Sequence, residues 1–145
     1  MYKHILVPVD GSDTAQGAVG KAIELAKAFG SDVSIVYVID PYPFTGLGSD
    51  FAYGQAEYLS AAAAEAKQAN ATALQACQLA GVSAKANVVE AHGAWRGILE
   101  AAAQANADLI VMGSHGRHGL EKLVLGSKTQ RVLSHSKLSV LVVRE

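Results

Sequence analysis

Short apolar runs alternate with longer segments of helical period along the whole chain. That alternation restricts the fold more than any single motif. The strand-like runs are His4 to Val9, Val33 to Ile39, about Ser83 to Glu90, Asp108 to Met112 and Ser139 to Val143. Between them lie segments whose apolar residues recur three and four apart. The first spans about Asp13 to Phe29, with Val19, Ala22, Ile23 and Ala26 in one stripe. An alanine-rich segment follows, from about Gln55 to Ala80 with a stop at Gly81. A third runs from Ala94 to Ala105 with Trp95, Ile98, Leu99 and Ala102 on one face, and a short one from Lys128 to His135. Strands alternating with helices imply βαβ units, a parallel sheet and right-handed crossovers. Ile5-Leu6-Val7 and Leu109-Ile110-Val111 are unbroken apolar triplets, as expected of strands covered on both faces. Residues 40–54 carry prolines, glycines and serines among aromatics and read as a loop. The 145 residues, with no linker or internal repeat, are expected to form one domain.

The formal net charge is −1, which argues against a nucleic-acid or membrane-surface binder. Cys77 is the only cysteine, so neither an internal disulfide nor a cysteine metal cluster is available, and a reduced cytoplasm fits. Within an alanine-rich helix its default role is a small buried hydrophobe. No secretory signal or transmembrane run is expected from the sequence.

The chemistry-bearing stretch is Met112-Gly-Ser-His-Gly-Arg-His-Gly-Leu-Glu-Lys-Leu-Val-Leu-Gly-Ser-Lys-Thr129. It joins a strand to a helix start. Glycine permits positive φ and close approach of another group, and a helix N-terminus offers unpaired N–H groups and a positive dipole end. The combination suits a phosphate. Ser127 with Gln130 has the spacing of a capping box, as does Asp13 with Gln16. Ser127 and Thr129 are also candidate phosphate contacts. Asp10 ends the first strand, where a carboxylate can accept from ribose hydroxyls. Ligands of open α/β sheets bind beyond the carboxyl ends of strands, where strand order reverses. If the first and fourth strands are neighbours there, Asp10 and the glycine loop share one crevice. Arg117, Lys122, Lys128 and Arg131 add local positive charge against Glu121 alone.

Other chemistries fit poorly. The spacing is neither that of a G-x-x-x-x-G-K-[ST] loop nor that of G-x-G-x-x-G. Gly113-Ser114-His115-Gly116 is one residue short of a nucleophile elbow. His115 and His118 lack the partners of a metal site.

The spacing G-x2-G-x9-G-[ST], carried by Gly113, Gly116, Gly126 and Ser127, resembles the ATP-binding branch of the universal stress protein (UspA-like) family. The opening ILVPVDGSD and the closing SVLVVRE are similar to that family too. The resemblance implies an open five-stranded parallel sheet of order 3-2-1-4-5 with helices on both faces, Rossmann-like and adenine nucleotide alpha hydrolase-like. It implies a homodimer through the C-terminal strand. It also implies ATP, or another adenine nucleotide, with Mg2+ or Mn2+ bound through the phosphates. Pro8, Val9 and Asp10 are placed at the nucleotide, the latter two against adenine and ribose, and Val38 supplies backbone bonds to adenine. Met112 and Gly113 line base and ribose. Gly116, Gly126, Ser127 and Thr129 hold the phosphates, and His115, Arg117 and Lys128 complete the set. Two departures stand out. His92 and Ala94 occupy the entry to the third helix, where the family often has glycine and proline, and Lys128 follows Gly-Ser, where a small or apolar residue is common. The function implied is a regulatory, stress-response nucleotide binder with a protein partner not named by the sequence. A slow ATPase or phosphotransferase, and a nucleotide-independent interaction protein of the same fold, are the alternatives.

Overall fold

The computed structural model of the chain describes residues 1–41, 49–115 and 125–144. The elements in order are β1 (His4–Pro8), α1 (Asp13–Phe29), β2 (Asp32–Ile39), α2 (Ser49–Leu79), β3 (Ala84–Glu90), α3 (Ala94–Gln104), β4 (Leu109–Gly113), α4 (Ser127–His135) and β5 (Ser139–Val143). The strands form one parallel sheet of order β3-β2-β1-β4-β5. β1 lies at its centre, with Ile5 opposite Val33 on one side and Leu109 on the other.

The period of two along each strand divides the interior into two cores. Ile5, Val7, Ile35 and Val111 face α1 and α2, with Ala18, Ala22 and the fully buried Cys77. Leu6, Val36, Ile110 and Met112 face α3 and α4, with Ile98, Ala102 and Val132. Both faces of the central strands are therefore dry, which accounts for their unbroken apolar runs. Trp95, half-buried on α3, stacks on the His135 ring of α4 with centroids 4.3 Å apart. That contact ties the two helices of this face together.

Most element limits lie within a residue of their sequence-based positions. Two readings are corrected. α2 begins at Ser49, inside the stretch read as loop through residue 54. Once a helix is nucleated, one interior glycine such as Gly54 costs only about 1 kcal/mol, which a long packed helix absorbs. The cap of α1 is Ser12, with extended backbone and an Oγ that accepts from the Ala15 N–H at 3.2 Å. Asp13 is thus the first helical residue rather than half of a capping box, and its charge suits the dipole there. Gly30 ends the helix in the left-handed conformation, at φ 70°.

α3 approaches the sheet closely at Gly97. A Cβ there would lie 2.6 Å from Val38 Cγ1 and 3.2 Å from Ala91 Cβ. Val38 is stiff at χ1 and cannot easily yield, so the absence of a side chain at residue 97 sets how closely α3 presses on β2. Gly97→Ala is therefore expected to be worth about 1–3 kcal/mol less in the native background than in a Val38→Ala background, measured by urea denaturation. Equal effects in both backgrounds would show that this contact does not limit the packing.

Candidate functional site

The chain's order reverses at β1: its two neighbours in the sheet are β2 and β4. The carboxyl ends of β1 and β4 therefore open side by side, and Asp10 and the glycine-rich connection meet there. Among the described residues, Pro8, Asp10, Ser12, Ala15, Met112, Gly113, His115 and Lys128 line this crevice. A wider groove of about 600 Å3 runs between α1 and α2 and touches the crevice at Asp10. Its walls are mainly apolar, with Val19, Ile23, Ala69 and Ala73 among them, and the polar groups described next converge on the crevice instead.

Asp10 sits just past β1 with its carboxylate held at both oxygens. Oδ1 accepts from the Ser12 N–H at 2.9 Å, and Oδ2 lies 3.4 Å from Lys128 Nζ. The pair is mostly shielded from solvent, with 19% of the Asp10 side chain and 29% of the Lys128 side chain exposed. Burial by itself pushes the Asp10 carboxyl up, but the Lys128 ammonium and the hydrogen bonds from Ser12 and Lys128 outweigh it and hold the carboxyl below its ordinary value.

The N-terminus of α4 differs from its expected form. Gly126, with φ −64° and ψ 156°, is the cap, and no side chain caps this helix. Ser127 is the first helical residue, so the Ser127–Gln130 capping box is not formed. Gln130 Nε2 instead donates to the Leu125 carbonyl at 2.7 Å. The first turn contains no acidic residue, so the N–H groups of its opening residues have neither a side-chain cap nor a carboxylate to offset the dipole. The Gly126 N–H is used internally: it donates to the Ser114 carbonyl at 2.8 Å and closes the loop between the two glycine positions. The fit is close, since a Cβ on Gly126 would lie 3.2 Å from His115 Cα. Thr129 is buried, and its Oγ1 donates to the Gly113 carbonyl at 2.9 Å, tying α4 to the end of β4.

The remaining candidates fall as follows. Val9 is buried and its N–H donates to the Val36 carbonyl at 2.9 Å. Ile39 bonds toward β3 and Val36 toward β1. Alternate residues of a strand face opposite neighbours, so the Val38 N–H and C=O point to the β1 side, where β1 has ended. Met112 is buried on the α3 face, and Gly113 lies against Thr14 of α1. Ser114 Oγ lies 3.1 Å from His115 Nδ1. Ser127 is exposed at the crevice rim. Gly116 and Arg117 lie outside the described residues. At the entry to α3, the Gly93 N–H donates to Asp40 Oδ2 at 3.0 Å, so a carboxylate from the end of β2 holds the turn between His92 and Ala94.

Sequence reading missed three contributors. Ser12 caps α1, and its N–H also orients Asp10. Ser114 closes the loop through its carbonyl. The Asp10–Lys128 pair joins residues too far apart in sequence for any spacing rule. The local excess of basic residues and the position after Gly-Ser marked Lys128 for phosphate, but nothing marked it for Asp10.

Among the described residues no three His, Cys, Asp or Glu side chains cluster as a metal site, and no helix is long and apolar enough to cross a membrane.

Comparison with known proteins places the chain clearly. A model described as the Universal stress protein family matches residues 1–144. A universal stress protein of Methanocaldococcus jannaschii is 37% identical over 146 residues, covering 100% of this chain and 84% of that protein. The solved UspA of Lactobacillus plantarum superposes with TM-score 0.84 at 30% identity, covering 99% of this chain and 98% of that one. A universal stress protein solved in complex with cAMP superposes with TM-score 0.73 at 26% identity, covering 99% and 97%.

The lowered Asp10 pKa gives a signed pH dependence. Its stabilising effect is present above the ordinary carboxyl value of 3.8 and fades as pH falls through the lower folded-state value. Asp10→Asn keeps an oxygen for the Ser12 N–H but removes the charge. It is expected to be less stable than the native chain at pH 7 in urea melts, with the gap narrowing as pH drops below 3.8. A gap that stays constant across that range would mean that the Asp10 charge does not stabilise the fold.

Proposed function

We propose, from the premise that this chain belongs to the universal stress protein family, that it binds an adenine nucleotide, ATP foremost, at the crevice between β1 and β4 and acts as a regulatory stress-response protein. The observation that carries this reading is the first turn of α4. Its uncapped N–H groups open beside Asp10, at the point of the sheet where ligands of open α/β folds lie. A relative of this fold has been solved with cAMP.

Each named residue then has a task. Ser127, Lys128 and Thr129 present main-chain N–H groups to the phosphates, with the Ser127 hydroxyl at the rim. Asp10 accepts from the ribose. Val38 offers one donor and one acceptor to the adenine edge, in the place where β1 would have continued the ladder. Gly116 and Arg117 belong to the same cradle by sequence. A Mg2+ or Mn2+ ion would be carried by phosphate oxygens, because among the described residues Asp10 is the one carboxylate that lines the crevice.

The Asp10 geometry favours binding over turnover. General-base catalysis needs a group ready to take a proton near neutral pH. A carboxyl held below its ordinary value by Lys128 and Ser12 is a weak base. The homodimer belongs to the same proposal: among the described strands β5 lies at the edge of the sheet beside β4, and it carries the exposed Leu141. Sedimentation at micromolar concentration should give a dimer mass; a monomer would contradict this part.

Ser127→Asp separates the site from the fold. A carboxylate in the first turn of α4 complements the dipole, and the helix should gain about 0.3–1 kcal/mol. The same charge repels phosphate, and the ATP affinity read by calorimetry should fall by about tenfold or more. Native-like ATP affinity in this variant would place the phosphates elsewhere, and no adenine-nucleotide binding by the native chain would overturn the reading itself.

A further inference from the structure

Lys128 stands in an unusual place. It is the second residue of α4, where the helix dipole disfavours a cation. Its partner is Asp10, from the opposite wall of the crevice, at 3.4 Å. The ammonium thus lies between the group read as the ribose acceptor and the N–H groups read as the phosphate cradle. The paired charges cancel, and what remains positive is the helix end. A polyphosphate entering the crevice changes that balance. It offers the ammonium several anionic oxygens in place of one carboxylate, and a flexible four-carbon stem lets Nζ move to them. Asp10 is then released to accept from the ribose hydroxyls.

We infer that Lys128 is the residue that sets the phosphate dependence of nucleotide binding: an exchangeable counter-ion that pairs with Asp10 until a phosphate chain takes it over. This rests on the nucleotide reading above and specifies its ligand class, a nucleotide carrying two or more phosphates in preference to the nucleoside. The alternative role of the pair, a fixed strut between β1 and α4, makes the opposite prediction. A strut would be lost equally for every ligand, whereas an exchangeable counter-ion discriminates by phosphate number.

The test is isothermal titration of adenosine, AMP, ADP and ATP into the full chain and into Lys128→Met and Lys128→Arg, with folding of each variant checked by thermal melting. In the native chain affinity should rise with phosphate number. Lys128→Met keeps most of the stem but not the charge, and should shrink the ATP-to-adenosine affinity ratio by about tenfold or more. Lys128→Arg should restore most of the ratio. The salt dependence of ATP binding should flatten in Lys128→Met alone. A native ratio retained in Lys128→Met, or all four ligands weakened by one common factor, would overturn the inference while leaving nucleotide binding intact. Failure of the native chain to bind any of the four would overturn the nucleotide reading and this inference with it.

Discussion

β1 is hydrogen-bonded on both sides, and that central position is the constraint from which the rest of the molecule follows. With β2 on one side and β4 on the other, the chain winds outward in both directions. The helices then divide between the two faces, and each central strand is buried twice. The price is a gap at the carboxyl edge, since the connections from β1 and β4 leave in different directions: β1 continues into α1 on one face, while β4 leads to α4 on the other. Asp10 lies just past the last β1–β2 bond at Val9, and it lines that gap together with Gly113 and His115.

The local chemistry of the gap follows from how α4 begins. A serine at the cap would have satisfied one of the first-turn N–H groups with its own hydroxyl. Gly126 cannot do so. Its own N–H closes the loop to Ser114 instead, and its lack of a side chain lets the chain pass over His115. The same residue therefore fixes the loop and leaves the helix end electrostatically unsatisfied. Thr129 secures this arrangement from below by bonding the Gly113 carbonyl, so α4 is held to the end of β4 at its third residue. Lys128 raises the local positive charge further, and Asp10 offsets it. The two charges cancel, and the uncapped first turn of α4 supplies the remaining positive potential.

The fold was largely legible in the sequence because its signals are local. β5 and the extent of α1 follow from their apolar patterns. The strand limits were displaced by a residue at most. The start of α2 was hidden because Ser49 to Gly54 contains turn-forming residues that a long helix tolerates. The site was legible in part. The glycine spacing marked its place, yet the two capping-box readings at Asp13 and Ser127 both failed by one residue. A cap is defined by backbone geometry, and neighbouring serine, aspartate and glycine compete for the position on nearly equal terms. The commitment of the Gly126 N–H and the Thr129 hydroxyl, and the pairing of Asp10 with Lys128, are products of tertiary approach and have no signature in a linear pattern.

The central claim is that main-chain N–H groups of the first turn of α4 receive the phosphates. Amide chemical shifts followed by two-dimensional NMR during nucleotide addition address it atom by atom. The account predicts saturable shifts for the Ser127, Lys128 and Thr129 amides with ATP that adenosine does not reproduce, while the Gly126 amide, already bonded to Ser114, moves little. Saturation by ATP with those three amides unmoved would contradict it.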